Sequence, residues 1–561
     1  MLTVLINWLY VVLTTGCLGL GIATFTKHRL QYQIKQTTSI LAMGLVVATV
    51  YAQVWSLFYR VSLLANLVLF IICCISLVYG RREAARLFRL LKMECSVCKA
   101  MLLIVVILVW AYCTSRGYMH YDSDLYHAQS IRWIEEYGIV KGLGNIHVRF
   151  AYNSSFFALS ALYSMPYLFG QSMHSVNGLI ALLLCMESLQ VIRAWKRKHL
   201  LLSDFARIAA LYYLTLIYGE VMAPASDYAI MCTVFYIIIK WLAVLEDKQN
   251  ANNVTPYALL CVAGVYAVSL KLTAGLILLL TIKPAVMLIR QKRWKEIAFY
   301  LCAGIAVIVP WITRTVIISG YLLYPFTALD IFSVDWKIPA EAVALDAAEI
   351  KTWGRGLNNA ALVNTPLREW FVQWFQTTLS QLGKMYILAD IFCLAAGALY
   401  ALMQLFKKRW QQADLVLIWL TAAASYLFWQ TSAPLLRYGY AYVLLLIALT
   451  GGIVWQSLYK KMQADRFLCI LLAIAGCVKL WSLGSYIIES RQLLYYVNQQ
   501  DYGVYELESY EANGVTFYYP TNGDRVGYRE FPAIPARTDI VFRGHTIKEG
   551  FRSNKSSKLK K

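Results

Sequence analysis

The chain has 561 residues, 59% of them hydrophobic and only 15% charged, with a mean hydropathy of +0.54. A soluble domain carries roughly 25% charged residues, so a soluble globular protein is excluded. The formal charge of +21 does not indicate nucleic acid, because the cations form short clusters between apolar runs, as cytoplasmic loops of membrane proteins do.

Taken in chain order, apolar runs such as Ile40–Leu57, Met101–Tyr112, Leu272–Leu280 and Leu415–Leu427 recur to about residue 485. Near the ~20 residues that cross hydrocarbon as a helix, and without strict alternation, they predict an all-α polytopic membrane protein rather than a barrel. The basic clusters Lys27–Arg29, Arg81–Lys99, Lys196–Lys198, Arg290–Lys295, Lys407–Arg409 and Lys460-Lys461 are expected on the cytoplasmic side. An even number of crossings must then separate successive clusters. Three apolar segments lie between Lys99 and Lys196, so one does not cross. The weakest is 153–170, which opens on Asn-Ser-Ser and contains Pro166.

About fourteen spans remain, near 3–25, 39–58, 61–79, 99–115, 174–194, 205–222, 228–245, 256–270, 272–290, 297–313, 385–405, 414–430, 439–457 and 467–485. Both termini are expected outside, with Lys283 snorkelling toward the cytoplasmic end of its span. The expected divisions are 1–98 (N-terminal spans and basic loop), 99–313 (catalytic core), 314–384 (outer loop), 385–485 (C-terminal spans) and 486–561 (outer tail). The first outer loop covers 116–173. The tail reads as a small β-rich appendage with a disordered basic tip, Arg552–Lys561. None of the thirteen cysteines falls in the outer segments 115–150, 314–384 or 491–561, which excludes a disulfide framework there. Cys95 and Cys98 form a lone C-x-x-C without a second pair.

Chemistry is concentrated at the outer ends. Tyr121-Asp122-Ser123-Asp124-Leu125-Tyr126-His127 follows the 99–115 span. Beyond it, Tyr126, Ser130, Trp133, Ile134, Tyr137 and Val140 share a helical stripe, so 124–140 is expected to be an amphipathic helix along the membrane surface. Asp122 and Asp124 can serve as general base or bind a divalent metal ion, or can simply cap the helix. Asp227, Lys271, Arg314 and Arg437 also fall at outer ends, where cations are less expected. The acids are assigned to proton removal and the cations to a phosphate. In the second loop, Tyr324, Asp330, Asp335, Trp353, Arg355 and Trp370 mix aromatics with charge. They suit either sugar stacking or an interfacial belt.

A span, an outer loop opening on an acid pair, a surface helix, an apolar helix ending in Phe169-Gly170 and a later Ser226-Asp227 loop together resemble the GT-C superfamily of membrane glycosyltransferases. That resemblance implies a GT-C-like helical bundle in a bacterial inner membrane. It also implies a polyprenyl-phosphate-linked sugar donor and a glycan, lipid or protein acceptor on the periplasmic or exterior face. Asp122 aligns with the catalytic Asp of the lipid A aminoarabinose-transferase branch. Asp124 and Asp227 would assist it, Lys271, Arg314 and Arg437 would hold donor phosphate, and Tyr126, His127, Tyr324, Trp353, Arg355 and Tyr438 would contact sugar or acceptor. The chain departs from that branch in Ser123, where a Glu is usual, and in Ala151-Tyr152-Asn153, where Lys-Pro-Pro is usual. Tyr121–Gly138, Gly320–Pro325 and the pair Phe542-Arg543-Gly544 and Gly550-Phe551-Arg552 resemble, more closely, an uncharacterised family of bacterial polytopic membrane proteins.

Two alternatives stay open. An O-antigen-type polymerase or ligase needs outer cations but not the acid pair. A transporter or flippase for lipid-linked glycans needs ionisable residues near the midplane, for which Asp390 is the best candidate.

Overall fold

The computed structural model describes residues 1–554 apart from 95, 198, 407–412 and 459–461. Cys95, Lys198, the clusters at 407–409 and 460–461, and the basic tip from 555 lie outside the described residues.

Helices cover the apolar runs and much of what joins them. They are α1 (Leu2–Arg29), α2 (Thr37–Ser56), α3 (Leu63–Glu94), α4 (Val97–Ser115), α5 (Ala128–Tyr137), α6 (Ser155–Ser164), α7 (Pro166–Phe169), α8 (Val176–Ser188) and α9 (Arg193–Arg197). There follow α10 (Leu202–Ile217), α11 (Ser226–Glu246), α12 (Val254–Leu270), α13 (Ile282–Arg290), α14 (Trp294–Ser319), α15 (Ala340–Gly354) and α16 (Leu367–Gln373). The last are α17 (Gln381–Phe406), α18 (Ala413–Thr431), α19 (Leu436–Leu458), α20 (Met462–Glu489) and α21 (Leu493–Val497). Among the described residues, twelve helices are long and apolar enough to cross a membrane. The chain is an all-α polytopic membrane protein.

Its apolar exterior has a physical cause. No residue of the apolar window in Phe467–Glu489 is buried, and Trp481 is 80% exposed. Apolar surface on this scale is stable against lipid, not water. Between helices, small residues permit close approach. A Cβ on Gly44 would stand 1.8 Å from the Thr15 carbonyl oxygen, and one on Gly19 would stand 2.0 Å from that of Ile40. These contacts lock α1 against α2.

Three local features matter. Residues 272–281, expected as plain α-helix, wind as a ten-residue 3-10 helix, a length rare for that geometry. Lys271 sits in extended backbone at the break between it and α12. Segment 153–170 forms the fully buried α6 and the short α7, broken at Met165 (φ +43°) before Pro166. Its start bonds Leu270, since Ser154 Oγ donates to that carbonyl at 2.8 Å, and the Tyr163 carbonyl accepts from Asn7 at 2.9 Å. Finally, Lys283 finds its counter-ion at the helix end expected to be cytoplasmic. It pairs with Asp414 at the start of α18 and lies 4.5 Å from the Tyr257 ring centroid.

The expected outer segments are not separate loops. They share one apolar core with Trp133, Phe150, Tyr321, Tyr324, Ile338, Phe517, Ile534 and Phe551 at its centre. In the tail, β1 (Leu507–Ala512) and β2 (Val515–Pro520) pair antiparallel through an Asn513-Gly514 turn with both φ positive, which suits a two-residue hairpin. A second ladder joins β3 (Val541–Phe542) to β4 (Phe551–Arg552), and the Phe551 N–H donates to the Lys141 carbonyl at 2.9 Å. The tail is therefore a strap packed on the first loop, not an appendage beside it.

That strap corrects the reading of 124–140 as a helix lying free along a membrane surface. Residues 123–127 form one π turn before α5, and the polar side of α5 faces protein. Gln129 Nε2 donates to the carbonyls of Gly527 (3.1 Å) and Glu530 (2.9 Å), Arg132 donates to that of Tyr528 (2.5 Å), and the Tyr528 hydroxyl donates to Glu135 (2.5 Å). Amphipathicity gives a polar face but not what covers it.

Candidate functional site

A cavity of about 1550 Å³ opens at the end of the bundle where α4, α12 and α18 finish and α11 and α19 begin. Asp122 enters from the turn before α5. Asp227 occupies the first turn of α11, where the helix dipole favours an acid. Arg437 stands in the first turn of α19, where the same dipole disfavours a cation and carboxylates must offset it.

They do so directly. Arg437 Nη2 donates to Asp122 Oδ2 at 2.8 Å and to the Tyr438 hydroxyl at 3.0 Å, and its Nε lies 3.2 Å from Asp227 Oδ2. Lys271 forms an ion pair with Asp227, and its Nζ sits 3.6 Å from the Tyr438 ring centroid. Four charged groups from four chain segments thus form one chain of contacts, Asp122–Arg437–Asp227–Lys271. All but Arg437 line the cavity. Arg437 Nη1 is buried and has no hydrogen-bond partner among the described residues.

The electrostatics follow from burial and neighbours. Burial pushes the Asp122 carboxyl up, but Arg437, His127 and His120 outweigh it and hold the group below its ordinary value. His120 Nδ1 is 3.5 Å from Asp122. Burial and the Arg437 charge press His120 down to about 4, against Asp122 and Asp227. Burial takes His127 down to about 3, although the same two carboxylates pull it up. Both imidazoles are therefore neutral at pH 7.

The sequence-derived residues divide clearly. Asp122, Asp227, Lys271, Arg437 and Tyr438 converge, with Tyr126 and His127 on the same wall, and Tyr324 and the half-exposed Trp353 elsewhere in the lining. Asp124 does not join Asp122. Its carboxylate accepts the Gly503 N–H (3.1 Å) and the Tyr505 hydroxyl (2.8 Å), so it anchors the strap. Burial raises it above its ordinary value despite those bonds.

Arg314 is likewise elsewhere. It bonds Asn153 Oδ1 at 3.1 Å, the Ser56 hydroxyl, and the Gly138 carbonyl at 3.3 Å, tying α14 to α2. Arg355 donates to the carbonyls of Val363 (3.2 Å) and Thr431 (2.8 Å) and stacks over Trp370 at 4.4 Å. Asp330 pairs with Lys337, and Asp335 takes both ends of the Arg543 guanidinium at 2.8 and 3.1 Å. Asp390 is fully buried in α17 with neither oxygen bonded among the described residues, and it does not reach the cavity.

A divalent ion does not fit the proposed Asp122 and Asp124 pair, because the two carboxylates serve different partners. Among the described residues no group of three His, Cys, Asp or Glu side chains is placed to ligate one.

Sequence reasoning missed His120, Arg149, Tyr152 and Asp346. His120 is two residues from Asp122, close enough to have been noticed. Arg149 Nε sits 3.3 Å from Asp346 Oδ1, and the Tyr152 hydroxyl donates to Asp346 Oδ2 at 2.7 Å. Nothing local in the sequence joins position 149 to position 346.

Residues 1–444 match the model of a family described as a domain of unknown function, DUF8201. The chain belongs to that family. No curated protein and no solved structure matches it. The matched region contains all four members of the charged chain, whereas the strap lies beyond it.

Proposed function

We propose that this DUF8201 protein is a GT-C-type glycosyltransferase that moves a sugar from a polyprenyl-phosphate donor to an acceptor at the site end of the bundle. The observation that carries the reading is the Asp122–Arg437–Asp227–Lys271 chain on a large cavity at the end of an apolar helix bundle. Acids and cations alternate there, so an incoming phosphate can take Arg437 and Lys271 while a carboxylate is freed.

Asp122 takes the proton of the acceptor hydroxyl. That oxygen forms its bond to the donor anomeric carbon as the bond from that carbon to the phosphate oxygen breaks, and polyprenyl phosphate leaves with the electron pair. A single displacement inverts the anomeric centre. Arg437 stands behind Asp122 and Asp227 rather than on the cavity wall, and its Nη1, without a hydrogen-bond partner among the described residues, meets the leaving phosphate only as Asp122 gives way. Lys271 adds a point charge, and Asp227 holds both cations. The neutral His120 and His127 flank the base without adding charge.

Counting the 16- and 17-residue helices α10 and α12 with the twelve longer ones gives fourteen spans, with α6 and α7 inserted from the site end. Every described basic cluster then falls at the opposite end. This supports a multi-pass bacterial inner-membrane protein whose site faces the periplasm or exterior.

The test is release of free polyprenyl phosphate from a polyprenyl-phosphate hexose by protein in nanodiscs supplied with glycan acceptors. Release that disappears in Asp122→Asn, with folded protein retained, is the expected result. Turnover unchanged in that variant overturns the assignment, and retained turnover in Asp122→Asn with loss in Arg437→Ala favours the polymerase or ligase alternative.

A further inference from the structure

The cavity holds a second constructed group of residues that the transfer chemistry does not use. Arg149 comes from the short turn Val148–Ala151, and Asp346 comes from α15, nearly two hundred residues later. Asp346 is 3% exposed, forms an ion pair with Arg149 through Nε at 3.3 Å and accepts a hydrogen bond from the Tyr152 hydroxyl. The Nη atoms of Arg149 have no hydrogen-bond partner among the described residues, and Arg149 lines the cavity. One edge of the guanidinium is therefore fixed by a buried carboxylate, and the other presents donors to the open space.

Aromatic faces accompany it. The Tyr152 and Tyr324 rings meet edge to face at 5.1 Å; Tyr324 reaches the cavity wall from the apolar core with 4% of its surface exposed, and the 52% exposed Trp353 supplies the open ring face. Charge is balanced here: Arg149 answers Asp346, and Lys351 has Glu349 as a counterpart in the lining. A group of this kind suits a neutral polyhydroxylated ligand. Fixed N–H donors and carboxylates take vicinal hydroxyls, and ring faces take the C–H face of a pyranose. An anion would call for excess positive charge. An extended peptide would call for a free sheet edge, and neither ladder of the strap contributes to the lining.

Volume agrees. One small ligand fills a pocket of roughly 300–1,000 Å³, so a cavity of about 1550 Å³ has room for a donor headgroup and a second molecule together. We infer that the acceptor is a neutral saccharide, free or lipid-borne, held on Arg149, Tyr152, Tyr324 and Trp353. This rests on the glycosyl-transfer reading and narrows its acceptor from glycan, lipid or protein to a saccharide.

The experiment uses the full chain in nanodiscs, applied to an array of neutral and acidic glycans, with farnesyl phosphate binding measured separately as the donor-lipid probe. Neutral glycans should be retained, and Arg149→Ala should lower that signal about tenfold or more with farnesyl phosphate binding unchanged. Should Arg149→Ala fail to fold, Tyr152→Phe decides, with a loss of a few-fold expected. No glycan signal, a signal confined to acidic glycans, or one indifferent to these variants overturns the proposal. Glycan binding that persists where farnesyl phosphate does not bind upholds the saccharide site and overturns the donor reading instead.

Discussion

Arg437 and Asp122 are 315 residues apart in the chain, and their side chains meet at 2.8 Å. The same guanidinium lies 3.2 Å from Asp227, so removing it leaves two mostly buried carboxylates facing each other. Arg437→Ala is expected to destabilise the protein by about 3–5 kcal/mol, the cost of breaking a buried pair from one side. Adding Asp122→Asn should recover part of that loss. A thermal-unfolding double-mutant cycle in detergent measures the coupling, and strictly additive losses would contradict it.

The strap is fastened by Asp124. Tyr505→Phe removes one of the hydrogen bonds to that carboxylate and should cost about 1 kcal/mol. Asp124→Ala should do more, exposing 498–530 to protease while the bundle stays intact. Limited proteolysis followed by mass mapping reads this out, and an unchanged cleavage pattern would argue against the anchor.

Acid should weaken the site end. His127 falls to about 3 in the folded chain against roughly 6.5 unfolded, so the unfolded state binds more protons between those values. Stability therefore rises with pH across that window and is lost as pH falls from about 6.5 toward 3. At pH 5.5 the loss is about 1.4 kcal/mol for this residue. Asp122, held below its ordinary value by Arg437 and the two histidines against the pull of burial, adds a loss that begins only below the usual carboxylate range. Asp124 and Glu135, raised by burial, act in the opposite sense just above that range. Unfolding midpoints at pH 7.5 and 5.5 should differ less in His127→Gln than in the parent.

Gly44→Ala should separate α1 from α2, because its Cβ would fall 1.8 Å from a backbone oxygen that no rotamer change can move. A loss of about 1–3 kcal/mol is expected. Gly451→Ala, with nothing within 4 Å of its Cβ, serves as the control and should be near neutral. Equal effects in the two variants would rule out the close contact as the cause.

Sidedness is testable with the same chain. A cysteine placed at Tyr118 or Asn358, on the cavity lining, should react with an impermeant maleimide added to intact cells. One at Gln291, between α13 and α14, should react only after permeabilisation. The reverse pattern would invert the topology.

What the sequence determined alone was the membrane class and the positions of the long helices, because apolar runs and their lengths are local properties that lipid rewards directly. The spacing of basic clusters also named 153–170 as the segment expected not to cross; its apolar helical stretch, Ser155–Phe169, is shorter than the twelve candidate spans. Asp122, Asp227, Lys271 and Arg437 could be named as lying near helix ends, but not as partners.

Tertiary structure alone decided which of the acids and cations share a cavity. It sent Asp124 to the strap and Arg314 to Asn153, two assignments that depend on what packs against each side chain rather than on its neighbours in sequence. It also brought Arg149 to Asp346 and covered the polar face of α5 with the chain's own tail. Ion pairs and hydrogen bonds act over a few ångströms, and the residues that make them here are separated by, for example, 44 positions (Lys271 and Asp227) or 381 (Asp124 and Tyr505). Hydrophobic periodicity carries no record of such pairings.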